Sequence, residues 1–336
     1  MLLTPAAAAP AGTIDELADY LTDGYWNDAG YAPHHFASGT IFVSISGLTT
    51  AGKQLARWAM EAWEAVADLD FVEVNNPALA QLVFDDNNPG AISNASWDGL
   101  GNTTSASVNI STNWISVYGS NLGSYGFQTY VHELGHALGL GHQGDYDGTA
   151  TYGTDETFAN DSWQLSIMSY FSQADNTTVN ATEAELITAM AADIVAIQSM
   201  YGAAGAGSLT AGNTTYGVGH SLGTSWLGKL FDEMVSAIRQ VHSGQRYISP
   251  NVAQQLALKQ FNPGGDSPFD CLSEREIQIA LMIVGCQKVQ IISDKLCLSP
   301  KTVNTYRYRI FEKLSVTSDV ELTLLAVRHG MVDASL

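Results

Sequence analysis

His132-Glu133-Leu134-Gly135-His136-Ala137-Leu138-Gly139-Leu140-Gly141-His142 is the stretch from which the rest of the chain can be read. His132 and His136 are four residues apart, so on a helix both imidazoles leave the same face. Gly139 can take the backbone conformation that ends a helix and swings the chain back. That turn delivers His142 as a third nitrogen. Three neutral imidazoles bind Zn²⁺ and leave one position for water, the catalytic type of site. Glu133 follows the first ligand, lies beside that water and can take its proton. The bland alternative is two core histidines on a helix that happens to contain Glu. The bare five-residue motif leaves that alternative alive, whereas the eleven-residue form argues against it. Ser166-Ile167-Met168-Ser169-Tyr170 then places Met168 26 residues beyond His142, where a Met-turn beneath the metal is expected. Alone this would be a core methionine beside a tyrosine; together the two signals support each other.

Around the motif the pattern is mixed. Residues 40–46 and 71–74 alternate or carry β-branched apolar side chains, which predicts strands, and 82–84 and 107–110 are shorter candidates. Leu55, Ala59, Ala62, Trp63 and Val66 recur at helical spacing and predict a helix over 51–68. Further helices are expected over 126–138 and 182–200, with a long Gly-, Asp-, Thr- and Tyr-rich loop between them. Residues 202–226 have linker composition. Beyond them the pattern is helical throughout: 230–242, 251–260, 273–285, 287–296, 299–313 and 318–329. The predicted fold class is therefore α+β, with a mixed sheet and an active-site helix, followed by an all-α module.

Charge divides the chain at the same place. The 336 residues carry a net charge of −20 with 46% hydrophobic residues, enough for about two folded domains. Residues 1–226 hold two basic side chains, Lys53 and Arg57, against 23 acidic ones; residues 227–336 hold 12 against 11. So acidic a first module is a poor surface for nucleic acid. No apolar run approaches the ~18–20 residues of a membrane span. Three cysteines, Cys271, Cys286 and Cys297, cannot make a fully paired disulfide framework. Residues 1–12 lack the positive start of a secretory signal and are expected to form a flexible tail. Asn-X-Ser/Thr sequons such as Asn94 and Asn176 read as polar-loop sequence rather than modified sites. His34–His35 is expected to be an exposed loop pair rather than a metal site, and Asp85–Asp86 a solvated pair rather than a calcium site.

With the stretches YVHELGHALGLGHQGDY, QLSIMSYF and AADIVAIQSMYG, residues 13–226 resemble the catalytic domain of serralysin-type metzincin peptidases, which are bacterial zinc endopeptidases. The resemblance implies one catalytic Zn²⁺ held by His132, His136 and His142, with Glu133 as general base. It also implies Tyr170 as a switchable fifth ligand that donates to the oxyanion, and Met168 as the apolar floor. Protein or peptide substrates come with it. Members of that family usually continue into a calcium-binding β-roll of nonapeptide repeats and a secretion signal. Only an isolated Gly264-Gly265-Asp266 is present, so calcium and type I export are not carried over.

The helical module begins with Leu272-Ser273-Glu274-Arg275-Glu276, in which Ser273 and Glu276 have the spacing of a capping box. A second helix, a tight turn at Cys297-Leu298-Ser299, and a third helix capped by Ser299 are what a helix-turn-helix needs. Lys288, Lys295, Lys301, Arg307, Arg309 and Lys313 outnumber Asp294 and Glu312 there, as phosphate contacts require. Periodicity alone leaves a small helical domain with solvated charge equally open. LSEREIQIALMIVG and LSPKTVNTYRYRIFEKLSV make residues 270–334 resemble the LuxR/GerE-type DNA-binding domain of response regulators, nearest the GacA/UvrY branch. The likeness extends back to about Glu233, at the end of a receiver whose remainder is absent from this sequence. It implies duplex DNA as partner, with a dimer on DNA. Asn304, Thr305 and Tyr308 would face bases, and Lys301, Thr302, Arg307 and Lys313 would hold phosphates.

The expected organisation is a tail over 1–12, a peptidase domain over 13–201, a linker over 202–232, a helical linker over 233–269, and a helix-turn-helix domain over 270–336. Two functions compete for the whole: a zinc endopeptidase with a DNA-binding appendage, or a transcription regulator whose receiver is replaced by a peptidase-like domain. The first points outside the cell and the second inside it. The abrupt junction is compatible with a natural, an engineered or an assembly-made fusion.

Overall fold

The computed structural model describes residues 9–176, 178–182, 184–247, 268–272, 274–285, 287–296 and 298–328. Contacts divide the chain into two units, one ending at Gln245 and the other starting at Arg246.

In the first unit the strand-forming runs β1 (Thr40–Gly47), β2 (Asp70–Glu73), β3 (Leu82–Asp85), β4 (Ala91–Trp97) and β5 (Thr103–Ile110) make one sheet in the order β2-β1-β3-β5-β4. β1 lies parallel to β2 and β3, and β3 parallel to β5; β4 alone runs antiparallel, against β5. Ile41, Val43, Leu82, Phe84 and Val108 supply its buried face. Two short helices, α1 (Ile14–Asp19) and α2 (Tyr25–Asp28), flank a π-helical turn at Tyr20–Gly24. Helix α3 (Thr50–Glu64) makes the crossover that a parallel β1–β2 pair needs, and Thr49 Oγ1 caps it by accepting from Gly52 N. A short α4 (Thr112–Tyr118) leads into α5 (Tyr125–Leu138), whose Val131 and Leu134 are fully buried in the shared core. Trp63 of α3 donates from Nε1 to Val131 O across 3.1 Å and locks the two helices together.

Several expectations differ from the structure. The helix expected over 182–200 begins only at Ala191, as α6 (Ala191–Tyr201). The residues before it instead bury Leu186, whose N–H donates to Gln128 Oε1 at 2.6 Å. Strand β4 and helix α4 were not among the predicted elements: β4 reads Ala-Ile-Ser-Asn-Ala-Ser-Trp, too polar for an apolar-alternation signal. The linker-like stretch is docked, since Thr210 Oγ1 donates to Ala65 O and Leu222 is buried. Helix α7 (Trp226–His242) starts one turn earlier than expected, with Ser225 as its cap and Trp226 buried in the first unit's core.

In the second unit a one-turn helix at Pro268–Cys271 precedes α8 (Glu274–Val284), α9 (Val289–Leu296), α10 (Pro300–Leu314) and α11 (Asp319–Arg328). Ile279, Ile283, Ile292, Val303, Ile310 and Leu322 close its core. Ser299 Oγ accepts from Thr302 N at 3.1 Å, with Pro300 opening α10. The expected helix over 251–260, the Ser273 cap, Cys286 and Cys297 lie outside the described residues.

Candidate metal centre

Helix α5 ends in a reversal that its glycine makes possible. Gly139 has φ +112°, Gly139 N donates to His136 O, and Leu140 N reaches back to Gly135 O. This is the hydrogen-bond pattern of a Schellman cap. The reversal is fastened from outside by Trp26 Nε1 donating to Gly139 O, Gly141 N to Leu21 O, and Tyr201 Oη to Leu138 O. His142 is thereby brought back over α5.

Three Nε2 atoms meet as a result: His136 lies 3.1 Å from His132 and 3.0 Å from His142, and the ligand atoms of all three fall within 4.8 Å. Each Nδ1 faces a backbone carbonyl, Ile167 O for His132, Leu140 O for His136 and Tyr146 O for His142, at 2.8–2.9 Å. A carbonyl only accepts, so each Nδ1 carries the proton and each Nε2 presents a lone pair to the other two. Three converging lone pairs repel unless a cation lies between them. Nitrogens each ~2.0–2.1 Å from a tetrahedral Zn²⁺ sit about 3.3 Å apart, close to the spacing here. Burial and mutual proximity also keep the rings neutral: His136 is pushed down to about 3 and His142 lies well below its usual value. The donor set fits a borderline-soft cation.

Glu133 is buried beside the cluster, and burial with the charge of Asp147 pushes it up to about 8, against a backbone hydrogen bond from Ser93 of β4. Met168 is fully buried, and its sulfur lies so close to Gly135 that a Cβ there would meet it. Tyr170 packs its ring 4.4 Å from that of His142, and its Oη accepts from Gly148 N at 3.4 Å. Burial and Asp147 together raise its phenol well above the usual range.

Two groups that sequence reasoning did not single out hold these residues in place. Asp193 of α6 accepts from Ser166 Oγ (2.6 Å), Ile167 N (2.7 Å) and Met190 N (2.7 Å). It therefore fixes Ile167, the residue whose carbonyl faces His132. Asp161 accepts from Tyr146 Oη at 3.0 Å, and the same oxygen accepts from Tyr170 N. No spacing rule links these acids to the histidine motif; only the AADIVAIQSMYG stretch drew attention to α6.

His34 is not an exposed loop residue. It is 2% exposed, its ring stacks 3.8 Å from Trp97, and Nδ1 is 3.0 Å from Ala32 O. The pair braces the reversal after α5, where its carbonyl touches Gly139. Asp85 accepts from Asn87 N and closes a local turn, whereas Asp86 accepts from Thr49 N at the start of α3, 37 residues away in sequence.

In the second unit Lys301, Tyr308 and Arg309 are exposed on α10, with Asn304 and Thr305 half-buried between them. Thr302 closes the cap with Ser299. Arg307 and Lys313, expected on phosphates, are engaged inside the domain. Arg307 makes two 2.7 Å bonds to Asp319 and lies over Phe311, while Lys313 Nζ is 2.7 Å from Glu276. Arg309 was counted in the basic balance but not assigned a contact.

Fold and site thus define two classes in one chain, a metallopeptidase-like α+β unit and an all-helical domain, and the comparisons match each separately. Residues 51–201 match the metallo-peptidase family M12B, reprolysin-like, and residues 270–326 match the luxR family of bacterial regulatory proteins. Response regulator GacA of Pseudomonas protegens is 83% identical over 109 residues, 32% of this chain and 51% of that protein. GacA of Pseudomonas aeruginosa is 80% identical over 109 residues, with the same shares of 32% and 51%. Response regulator UvrY of Escherichia coli is 62% identical over 103 residues, 30% of this chain and 47% of that protein. The chain spans about half the length of the curated relatives it matches. No helix among the described residues is long and apolar enough to cross a membrane.

Proposed function

We propose that this chain is a zinc-dependent endopeptidase of the serralysin-like kind, hydrolysing peptide bonds with metal-activated water and carrying a C-terminal helix-turn-helix domain that binds duplex DNA. The observation that carries the reading is the meeting of three Nε2 lone pairs beside a buried glutamate. Zn²⁺ bound there supplies Lewis acidity, lowers the pKa of water to ~7, and opposes the burial that raises Glu133. Glu133 takes the proton of the attacking water and returns it to the leaving amine. Tyr170 donates its hydroxyl proton in a hydrogen bond to the carbonyl oxygen as charge develops there. Strand β4 is the sheet's antiparallel edge, and Ser93 links it to Glu133, so its free edge offers main-chain partners to an extended substrate. His132, His136 and His142 keep their orientation through the three carbonyl contacts, and Asp193 acts through Ile167 as a positioning residue.

The test is zinc stoichiometry and casein cleavage on the purified chain near neutral pH. Glu133→Ala should retain zinc and lose activity by roughly 10²–10⁴-fold, whereas His142→Ala should lose zinc. Wild-type turnover in Glu133→Ala would reject the mechanism. The second reading, a transcription regulator with a replaced receiver, is favoured by the 83% identity to GacA over 109 residues. It predicts specific DNA binding by a chain without peptidase activity.

A further inference from the structure

Strand β4 ends in an aromatic pair. Trp97 is its last residue, and its ring stacks 3.8 Å from that of His34, on the brace behind Gly139. Tyr31 packs edge-on against the same indole, with ring centroids 6.1 Å apart at 89°. The indole is fixed by this stacking, whereas Tyr31 is 56% exposed. Tyr31 Oη and Trp97 Nε1 have no hydrogen-bond partner among the described residues. The loop that carries Tyr31 is held to the β4–β5 hairpin, since His35 N donates to Gly101 O at 3.1 Å and Thr103 N to His35 O at 2.8 Å. The β4–β5 register shifts between Ser96 and Trp97, a bulge that bends the hairpin where the pair sits. Two large rings with free polar tips are thus held in a preorganised position at the surface, which is the make-up of a binding hot spot.

Position along β4 identifies what meets these rings. Ala91, Ser93, Ala95 and Trp97 alternate with the exposed Ile92, Asn94 and Ser96, so Trp97 shares the face of Ser93, which is linked to Glu133. Four residues at ~3.3 Å each carry Trp97 about 13 Å along the strand from that link. A peptide laid on the free edge of β4 in the antiparallel sense, the more stable pairing, runs opposite to the strand, so its amino side passes the rings. We propose that Tyr31 and Trp97 form a subsite for an aromatic or branched aliphatic side chain three to five residues on the amino side of the scissile bond. The inference rests on the peptidase reading above and names its substrate class.

The experiment uses the full chain loaded with zinc. Fluorogenic peptides differing only by Phe, Leu, Ser or Gly are scanned over the residues on the amino side of the scissile bond. At one or more of the third to fifth positions, kcat/KM for Phe should exceed that for Gly by roughly 5–30-fold. The difference should lie in KM, and it should persist in high salt because no charge is involved. Tyr31→Ala should reduce the ratio to less than about threefold, and Tyr31→Phe should retain it. Fluorescence anisotropy of the same peptides on Glu133→Ala should rank them in the same order without turnover, and adding Tyr31→Ala should remove the advantage of Phe. Cleavage that ignores side-chain size at the third to fifth positions, or a ratio that survives Tyr31→Ala, overturns the subsite and leaves the peptidase reading standing. Absence of cleavage for every peptide by zinc-loaded protein overturns both.

Discussion

At the scale of single residues, Gly139 does more than end a helix. Its φ of +112° is a conformation that side chains rarely adopt, and a Cβ there would overlap the His34 carbonyl oxygen. Gly139→Ala should therefore cost about 2–4 kcal/mol through strain and overpacking together. Gly153 also has positive φ, but its surroundings are open, so Gly153→Ala should cost only about 1 kcal/mol. Urea unfolding of both variants checks the contrast, and equal losses would reject the close approach as the cause. On α10 the proposed DNA-contact roles divide by exposure. Lys301→Ala should weaken binding to every duplex and reduce its salt dependence, while Asn304→Ala should change sequence preference. Shift titrations on specific and random DNA separate the two; identical behaviour of both variants would contradict the division.

At the scale of elements, the C-terminal end of α3 carries a pH-sensitive group remote in sequence from the proposed metal ligands. Glu64 Oε1 accepts from Phe71 N at 2.8 Å, yet burial, with Asp70 and Glu61 nearby, pushes its carboxyl up to about 7 from 4.5. Between those values the folded chain holds a proton that the unfolded chain releases. This contribution to stability is therefore complete at low pH and is lost as pH rises to about 7. Glu64→Gln keeps an acceptor for Phe71 and removes the charge. It should gain roughly 1–3 kcal/mol over wild type at pH 8 and little at pH 5. Denaturation at the two pH values checks this, and the same difference at both would exclude Glu64 as the origin. Strand β4 and the start of α6 illustrate what local sequence does not carry. A polar strand becomes a strand because β5 pairs with it, with Ser93 opposite Val108 and Ala95 opposite Ala106. Residues 184–190 have helical spacing, but Leu186 N is claimed by Gln128 and Met190 N by Asp193, so the helix starts late.

At the scale of the whole molecule, two cores with separate residues should make the two proposed activities separable. A chelator should remove zinc and end proteolysis while DNA binding survives, since the second core is closed by apolar packing of Ile279, Ile310, Leu322 and their neighbours. Zinc content, peptidase activity and DNA shifts on one preparation, before and after chelation, test this. Joint loss of both activities would show coupling between the units. The histidine spacing, the methionine after it and the charge step were legible in residue order, because a helical repeat and a glycine turn are local and a net charge needs no partner. The α+β and all-α classes followed from periodicity for the same reason. Tertiary structure alone placed Asp193 on Ile167, the residue whose carbonyl faces His132. It alone buried His34 against Trp97 and paired Arg307 with Asp319 and Lys313 with Glu276. Each of those outcomes depends on a partner from another element, and for such a side chain the nearest opposite charge, donor or ring is set by packing rather than by position along the chain.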